Sequence, residues 1–561
     1  MIDRLIELVK GSSRTAYVFW AVLIFAVSFG LFLFYGWHPL WDGEAMYAEA
    51  PREMLLSGDF IRPTLNFAPF LFKPPLFVWT NAAWMAVFGV GEVSVRFPTA
   101  LFAAGTVLAT FLIGARSGLR TGIFSAFALA TSYGFVLHTS MMLTDIPLAF
   151  FTACSVYFFI MAAEEGGGRG VYGMYACLGL AVMTKGLIGL VFPGLAFGSY
   201  ILFGRRWGLL KMLASPVGIA LFLAITVPWH AMAEARQPGF LREFVINEQV
   251  MRFFNKRYPP DHDMVSDSQF LLINFGWLMP WAAFLPQALY RAVKGGVNGR
   301  GMAFHWGIAG MAFLCLSSSK LEYYALPVFP AFALITGGYW ASATQDGGRA
   351  KGLVAGLYVL AAFSLAAALI SPVLASNVNE GLDISRTEAM GYARIAVRCF
   401  VPLFLGAVAS VLLLKKGRTG AAFAALAVGA LLLSVSARAS LDMAAQYFST
   451  ADAAKVVAKL PAGTAVVVDG ELEYEDCSAF CFYTGRKVYI LKNHGNPMLA
   501  DGFTGGGSFM LNDGDFAGLW GSGRAVAFAT IRDPAKEAIA GIPSAGFSEV
   551  CRGSRTVYVN R

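Results

Sequence analysis

Long apolar segments recur along most of this chain, and they constrain its fold more than any other feature. Thirteen segments of about 14 to 24 residues approach or reach the length that crosses a hydrocarbon core of about 30 Å. They are residues 15–35, 97–115, 121–138, 145–163, 171–184, 186–203, 212–230, 269–290, 302–317, 322–343, 352–375, 396–414 and 420–437. With 57% hydrophobic residues and a mean hydropathy of +0.60, the chain lies outside the range of soluble globular proteins. The sequence therefore predicts a polytopic α-helical membrane protein with about 13 transmembrane helices.

The links between these segments predict the orientation of the chain. Basic residues gather in the links that share one side with the N-terminus, among them Arg205, Arg206 and Lys415. Because cytoplasmic loops carry an excess of Lys and Arg, that side is predicted to be cytoplasmic, and the C-terminus lies on the opposite side. The net charge of +8 is scattered over these links, and we find no nucleic-acid motif. This pattern predicts membrane lipids, and not nucleic acid, as partners.

The composition changes after residue 440. Residues 450–561 alternate a helix-like segment, ADAAKVVAKL, with short β-branched runs such as TAVVVDG, RKVYIL and RTVYVN. This alternation predicts a small α/β domain outside the membrane, after a membrane domain that covers residues 1–440. Cys477, Cys481 and Cys551 lie in this second domain, where an oxidising compartment allows one disulfide of unspecified pairing.

The first long polar segment, residues 36–95, holds the densest group of charged side chains. Four of its acids lie within one helical segment and precede a rigid Lys-Pro-Pro turn at residues 73–75. The acids are Asp42, Glu44, Glu49 and Glu53. Because charge beside lipid is costly, this grouping indicates a functional site. The alternative is an ordinary loop whose acids face water.

Three isolated charges at the outer ends of apolar segments indicate the same region. Lys185 and Lys320 stand alone in the two shortest outer links, where a positive charge suggests an anionic ligand. The alternative for either lysine is a side chain that snorkels to the interface. Asp145 opens the fourth segment, where a carboxylate without a partner costs several kcal/mol.

Seven motifs follow one another over most of residues 36–335. They are YAEAPREMLLSGDFIRPTLN, KPPLFVW, GVGEVSVRFPTAL, TDIPL, MTKGLIGLVFPGL, PWHAMAEARQPGFLREFVINEQVMRFF and SKLEYYALPVFP. Through these motifs the chain resembles the bacterial aminoarabinose transferases and the related protein O-mannosyltransferases, which are polyprenyl-phosphate-sugar-dependent glycosyltransferases of GT-C type. The resemblance implies a bacterial inner membrane protein with a periplasmic C-terminal domain and a sugar donor carried on undecaprenyl phosphate. It also implies transfer on the periplasmic face, between the membrane core and the first loop.

Such a transfer needs a carboxylate and a set of cations. Because the acceptor oxygen attacks the anomeric carbon, a carboxylate must take or orient its proton, and the candidates are Asp42 or Glu44, with Asp145 as the second carboxylate. The charge that develops on the phosphate leaving group must be met by cations or hydrogen-bond donors. The candidates for this substrate-binding role are Lys73, Lys185, Arg252, Lys320, Tyr323 and Tyr324. The resemblance implies that the Lys-Pro-Pro lysine and the tyrosine of the last motif line the donor phosphate site, although both tyrosines also fit an aromatic belt.

The first motif departs from the family pattern at the position of one acid. The family usually has Asp-Glu shortly before Tyr47, where this chain has Gly43 and Glu44. An aspartate stands one step earlier, at Asp42. Which of the two carboxylates is the base therefore stays open.

A second departure concerns a metal. Phe72 and Gln249 stand where the family has Glu and often His, two side chains that resemble the family's metal ligands. Since Phe cannot ligate a hard or borderline metal cation and Gln does so only weakly, neither the same divalent cation site nor aminoarabinose as the sugar is expected here. His262, between Asp261 and Asp263, could rebuild a ligand set, but a solvated loop is the favoured interpretation.

The sequence predicts a membrane glycosyltransferase that moves a sugar from polyprenyl phosphate to lipid A, another envelope glycan or a protein. Inversion at the anomeric carbon is implied by the resemblance. The alternative is a transporter or flippase of lipid-linked sugars, but the internal repeat typical of transporters is not found. A third interpretation is an assembly or sensor protein, in which the first-loop acids would be replaceable.

Overall fold

The chain folds into a helical bundle that is followed by an α/β domain. The computed structural model describes residues 13–70, 73–258, 264–295, 301–343, 347–377, 385–470, 477–491, 509–536 and 539–560. Each of the thirteen predicted apolar segments coincides with a helix or with consecutive helices. The predicted segments therefore mark the helical bundle correctly, although several of them are short or broken.

Seven helices of the described residues are long and apolar enough to cross a membrane on their own. They are Arg14–Tyr35, Glu92–Ala115, Asp145–Glu165, Pro216–Arg236, Lys351–Ser376, Arg386–Lys415 and Thr419–Phe448. The pair Asp267–Trp277 and Trp281–Lys294, bent by 102°, makes up to eight if it counts as one span. The chain is thus a multi-pass membrane protein.

The remaining helices of this part are shorter. They are Asp42–Ser57, Leu76–Phe88, Leu119–Ala130, Tyr133–His138, Arg169–Lys185, Ile188–Gly204, Leu210–Leu213, Phe240–Arg242, Met302–Leu316 and Phe329–Ser342, with 3₁₀ turns at Trp207–Leu209, Trp281–Phe284 and Glu322–Val328. A π-helix at Glu243–Met251 continues the Phe240–Arg242 turn. Segments of this kind often occur at functional sites.

The core of the bundle is packed with large aromatic side chains. Trp281 and Trp340 are buried, and their rings lie 4.7 and 5.5 Å from that of Phe423. These three residues come from segments more than 50 positions apart. Their contacts tie the last long helix to the bent pair and to the Phe329–Ser342 helix.

The C-terminal domain is built on one mixed six-stranded sheet. Its strands are β3 (Ala465–Asp469), β4 (Val488–Leu491), β5 (Met510–Leu511), β6 (Val526–Thr530), β7 (Ser548–Arg552) and β8 (Thr556–Val559), in the order β5-β4-β3-β6-β8-β7. The first four in that order run parallel and the last two pair antiparallel. Every residue of β3 and β6 is buried, which explains their continuous apolar runs. Helices Ala451–Ala458, Ser478–Thr484 and Asp513–Gly521 complete the domain.

The first loop and the C-terminal domain share one hydrophobic core. The loop consists of the Asp42–Ser57 helix, the two-stranded ribbon β1 (Thr64–Leu65) and β2 (Ala68–Pro69), and the Leu76–Phe88 helix. Met54 of the loop packs in one cluster with Val457 and Phe480 of the domain. Asn66 also exchanges two hydrogen bonds with the backbone of Val488, at 2.8 and 2.9 Å. The position of the loop therefore depends on the domain that lies more than 400 residues further along.

None of the seven cysteines, all of which lie in the described residues, forms a disulfide. Cys477 and Cys481 are buried beside the loop, and Cys551 lies on β7. The structure therefore contains none of the disulfides that the sequence allows.

Glu53 gives this shared core a pH-dependent stability. Its carboxylate accepts hydrogen bonds from Thr64 Oγ1 at 2.6 Å and from the backbone of Phe67 at 2.9 Å. Burial, followed by the nearby Glu49 carboxylate, raises the pKa of Glu53 to about 8. Because the folded state holds this proton more tightly than the unfolded chain, the contribution of Glu53 to stability is fully present at low pH and is lost as the pH rises through about 8.

We expect Glu53→Gln to flatten this pH dependence. The Gln side chain keeps the accepting oxygen and stays uncharged, so the variant should unfold at least about 2 °C higher than the wild type at pH 8.5 and close to it at pH 5. Thermal unfolding in detergent measures both midpoints. Glu164→Gln, at an exposed site, is the control. Parallel pH curves for wild type and Glu53→Gln would contradict the assignment.

Candidate active site

A cavity of about 320 Å³ opens where the ends of several helices meet the π-helix. Its polar lining comes from five separate parts of the chain. These residues are Lys73, Asp145, Lys185, Glu248, Gln249, Arg252, Ser317, Ser319 and Tyr324. Three cations thus face two carboxylates, which leaves the lining net positive. Such a cavity suits an anionic ligand.

One side of the cavity is an ion pair between two helix ends. Asp145 begins its long helix and Lys185 ends the Arg169–Lys185 helix, so both side chains reach the same end of the bundle. Lys185 Nζ donates to both oxygens of Asp145, at 2.7 and 2.6 Å. The same Nζ lies 4.3 Å from the ring centroid of Tyr324. Within this arrangement Lys185 fixes the orientation of the buried Asp145 carboxylate in the lining of the cavity.

The opposite side is organised around the buried Glu248. Its carboxylate lies 3.8 Å from Lys73 Nζ, 3.0 Å from an Arg252 nitrogen and 2.6 Å from Arg257 Nε. Although burial favours the neutral acid, Arg252, Lys73 and Arg257 hold the pKa of Glu248 below its usual range. The Glu248 carboxylate therefore lies close to three cations at the edge of the cavity.

Lys73 stands out among these cations because its charge is poorly solvated. Burial, followed by the repulsion of Arg252, lowers the pKa of Lys73 to about 7. An additional negative charge in the cavity would restore the proton. Lys73 is therefore suited to respond to an anionic ligand.

The rest of the cavity wall is apolar. It consists of Leu148, Leu187, Ile188, Val191, Phe192, Val250, Phe253, Phe254, Phe313 and Leu314. An apolar wall next to clustered cations matches the two halves of a lipid phosphate.

Two predicted carboxylates are engaged elsewhere and do not line this cavity. Asp42 Oδ1 accepts hydrogen bonds from the backbone and the hydroxyl of Thr450, at 3.1 and 2.8 Å. Glu44 is buried, pairs with Arg96 and accepts a hydrogen bond from the backbone of Met142 at 2.8 Å. Asp42 thus holds the loop helix to the C-terminal domain, and Glu44 holds it to the bundle.

Two predicted phosphate ligands also lie outside the lining. Lys320 is buried, and its Nζ lies 2.5 Å from an oxygen of Asp267 and 2.7 Å from the carbonyl of Ser317. Tyr323 lies behind Tyr324, with its ring centroid 5.9 Å from Lys185 Nζ. Both residues support the wall from behind, while Lys73, Lys185, Arg252 and Tyr324 line it.

The sequence alone did not single out two residues of the site. Glu248 lies in the quoted motif INEQ, but nothing in its spacing shows that Lys73 would meet it. Tyr47 is buried near Asp145, and burial followed by this negative charge raises the pKa of its phenol. The only signal for Tyr47 was its place in the first motif.

The residues present do not fit a divalent cation beside Lys73. Glu248 is already engaged by cations, and Gln249 contributes only an amide to the lining. In the described part of the chain no group of three His, Cys, Asp or Glu residues could hold a metal ion. Phe72 and His262 lie outside the described residues.

Gly186 follows the last residue of the Arg169–Lys185 helix beside the cavity, and its replacement tests the site. Its φ of +77° favours glycine, and a Cβ there would lie 2.7 Å from Phe244 Cζ and 3.1 Å from Gln249 Nε2. We expect Gly186→Ala to displace the π-helix and to lower the unfolding midpoint, because strain of about 1–2 kcal/mol adds to the clash.

Gly194→Ala is the matched control for Gly186→Ala. Nothing lies within 4 Å of a Cβ at Gly194, so this change should leave the unfolding midpoint unchanged or slightly raised. Equal midpoints for the two variants, measured by thermal unfolding in detergent, would show that the turn tolerates a side chain.

The sequence of this chain is similar to the sequences of known glycosyltransferases. The family model described as dolichyl-phosphate-mannose-protein mannosyltransferase matches residues 72–231. The undecaprenyl phosphate-alpha-4-amino-4-deoxy-L-arabinose arabinosyl transferase of Edwardsiella ictaluri is 30% identical over 322 residues, which are 56% of this chain and 57% of that protein. The second such transferase of Pseudomonas fluorescens Pf0-1 is 31% identical over 335 residues, 57% of this chain and 59% of its own length. The match thus spans rather more than half the length of these curated relatives.

Solved structures match over nearly the whole chain. ArnT from Cupriavidus metallidurans, solved in the apo state and bound to undecaprenyl phosphate, superposes with a TM-score of 0.80 and 26% identity. The superposition covers 97% of this chain and 98% of that one. The helical bundle, the first loop and the α/β domain therefore recur together as one architecture.

The fold and the cavity define a polytopic membrane protein of the GT-C type with a C-terminal α/β domain. Within that class the chain is similar to the bacterial aminoarabinose transferases, and its residues 72–231 match the mannosyltransferase family model. The resemblance seen in the seven motifs is thereby confirmed.

Proposed function

We propose that this protein is an integral membrane glycosyltransferase that moves a sugar from a polyprenyl phosphate to an acceptor outside the cytoplasm. The observation that supports it most is the shared cavity of Lys73, Asp145, Lys185, Arg252 and Tyr324 beside an apolar wall. A relative with the same architecture has been solved with undecaprenyl phosphate bound. The cavity offers cations for such a phosphate and an apolar surface for its isoprenoid chain.

The proposed reaction is a direct displacement at the anomeric carbon. The acceptor hydroxyl oxygen forms the new glycosidic bond as the bond between the anomeric carbon and the phosphate oxygen breaks. Asp145 receives the hydroxyl proton, and polyprenyl phosphate leaves with the bonding electron pair. One face of the sugar is attacked while the phosphate leaves from the other, so the configuration inverts.

The cations stabilise the leaving group in this proposal. Lys73, Arg252 and the Tyr324 hydroxyl meet the charge that grows on the phosphate, and Lys185 keeps Asp145 oriented. Glu248 fixes Lys73 and Arg252 before the donor arrives. Asp42 and Glu44 act at a distance, because they hold the loop helix.

Orientation and acceptor belong to the same proposal. The basic links predict a cytoplasmic N-terminus and a periplasmic C-terminal domain in a bacterial inner membrane. The cavity then opens toward the periplasmic side, where lipid A, other envelope glycans and proteins are available as acceptors.

Transfer by the purified protein tests this function directly. Radiolabelled sugars on undecaprenyl phosphate, offered as a panel with isolated envelope lipids and glycans, should yield a labelled acceptor, and chelator should leave the rate unchanged. A flippase would move the donor across vesicles without breaking the sugar–phosphate bond. Donor movement without any labelled product would therefore contradict a transferase and indicate a transporter. If neither occurs with any donor, an assembly or sensor protein becomes the better interpretation.

A further inference from the structure

A second cavity, of about 530 Å³, lies at the other end of the bundle from the donor site. It is formed by the end of the Asp145–Glu165 helix, by Tyr200 near the end of the Ile188–Gly204 helix, and by residues 205–209. Its volume falls within the range of small-molecule sites. Neither the proposed transfer nor the donor cavity uses any of its residues.

Its distance from the first cavity places it across the bilayer. Asp145 lines the donor cavity and Glu164 lines the second one, at opposite ends of the same helix. At 1.5 Å per residue the two residues lie about 30 Å apart, which is the thickness of the hydrocarbon core. The second cavity therefore faces the headgroup region of the opposite leaflet.

The cavity carries a positive charge that the protein does not neutralise. Arg205 makes no side-chain hydrogen bond or ion pair within the described residues, and Arg206 stacks on Tyr200 at 4.2 Å while donating to its hydroxyl. The one carboxylate in the lining, Glu164, accepts a hydrogen bond from Arg116 Nε at 2.7 Å. The two guanidiniums thus keep donors free for an anion, and Arg geometry suits phosphate oxygens.

The other lining residues suit the glycerol and the acyl chains of a lipid, which follow its phosphate. Ile160, Ala163 and Leu209 are apolar, and Trp207 is 54% exposed at the mouth, where tryptophan sits at membrane interfaces. A free phosphate would leave this apolar surface uncovered. A phospholipid would cover it with its glycerol and the first carbons of its acyl chains.

We infer that this cavity binds the phosphate headgroup of an anionic phospholipid in the leaflet opposite the donor site. Basic pockets between membrane helices bind such headgroups, and each cation near an anionic surface contributes enough for about a fivefold change in affinity. The bound lipid would fasten the ends of two helices whose other ends form the donor cavity. The inference does not depend on the proposed transfer.

Lipid binding to the delipidated full chain tests the inference. Phosphatidylglycerol is titrated in detergent and counted on the protein by native mass spectrometry. The double variant Arg205→Ala/Arg206→Ala should bind at least about tenfold more weakly than the wild type. The double variant Lys415→Ala/Lys416→Ala removes two exposed cations predicted to lie on the same face, and it should bind within about twofold of the wild type. Equal losses of lipid affinity in both double variants would show a diffuse charge effect and would contradict a specific binding site in this cavity.

Further binding experiments distinguish a phospholipid from other ligands, and they distinguish a loss of the site from misfolding. Ala163→Phe narrows the cavity without changing charge, so it should weaken phosphatidylglycerol binding even if the arginine variant fails to fold. Phosphatidylethanolamine should bind more weakly than phosphatidylglycerol. Inorganic phosphate at the same concentration should not displace the lipid. Displacement by inorganic phosphate, or wild-type binding by Ala163→Phe, would overturn the lipid assignment.

Discussion

Replacing Asp145 with Asn is expected to lower the transfer rate at least about a hundredfold, the loss typical of removing a general base. Asn keeps the shape of the side chain and its acceptor oxygen, but it cannot receive a proton. It also breaks the ion pair in which Lys185 Nζ lies 2.6 and 2.7 Å from the carboxylate. Single-turnover transfer with a saturating donor measures the rate, and thermal unfolding shows whether the cavity survives the loss of the pair.

The loop acids provide the controls for this experiment. In Asp42→Asn the remaining oxygen can still accept both hydrogen bonds from Thr450, so the rate should change less than about threefold. Glu44→Gln loses the charge that faces Arg96, so its main effect should be a lower unfolding midpoint. Its effect on the transfer rate should be the smaller one. A rate loss in Asp42→Asn together with full activity in Asp145→Asn would show that the general base lies on the loop helix. Full activity in all three variants would show that none of these carboxylates is the general base.

Replacing Lys73 with Ala is expected to raise the KM for the donor by about tenfold or more, with a smaller effect on the KM for the acceptor. Lys73 is held less closely by Glu248 than Arg257 is, because Lys73 Nζ lies 3.8 Å from the Glu248 carboxylate and Arg257 Nε lies 2.6 Å from it. A phosphate can therefore attract it more readily than it attracts Arg257. Initial rates with each substrate varied in turn measure the two constants. Equal increases in both would show that Lys73 only shapes the loop.

The pH dependence of donor binding provides a second test of Lys73. Because the pKa of Lys73 is about 7 in the free protein, its charge is present below that pH and is lost above it. Donor affinity should therefore fall as the pH rises from 6 to 8.5. Lys73→Arg keeps its charge throughout and should flatten the profile. Identical profiles for the two proteins would mean that the titration of Lys73 does not affect the donor.

The two sides of the cavity differ in how far the sequence could predict them. Asp145 and Lys185 each stand at the end of an apolar segment, so hydropathy and the cost of charge in lipid were enough to single them out. Lys73 and Arg252 were recognised through motifs. Glu248 was missed because it is an ordinary acid in a polar link until Lys73, from 175 positions earlier, is placed 3.8 Å away.

The loop acids show the opposite case. Asp42 and Glu44 have the residue type and the motif position of a catalytic base, and the sequence offers no sign of their partners. Thr450 lies 408 positions from Asp42, and Arg96 lies 52 positions from Glu44. A carboxylate in a hydrogen-bond network that joins two domains cannot be told from a catalytic one by spacing alone.

The sequence by itself determined the membrane class, the helical segments, the α/β composition of the C-terminal domain and the family resemblance. These properties depend on the length of the hydrophobic segments, on the period of the hydrophobic pattern and on local motifs, all of which are local features of the sequence. Only the tertiary structure decided which charges share a cavity, which acids hold the loop, and that Arg205 and Arg206 line a second cavity at the other end of the bundle. The reason is that an ion pair forms between side chains that the fold brings within about 4 Å, whatever their separation in sequence.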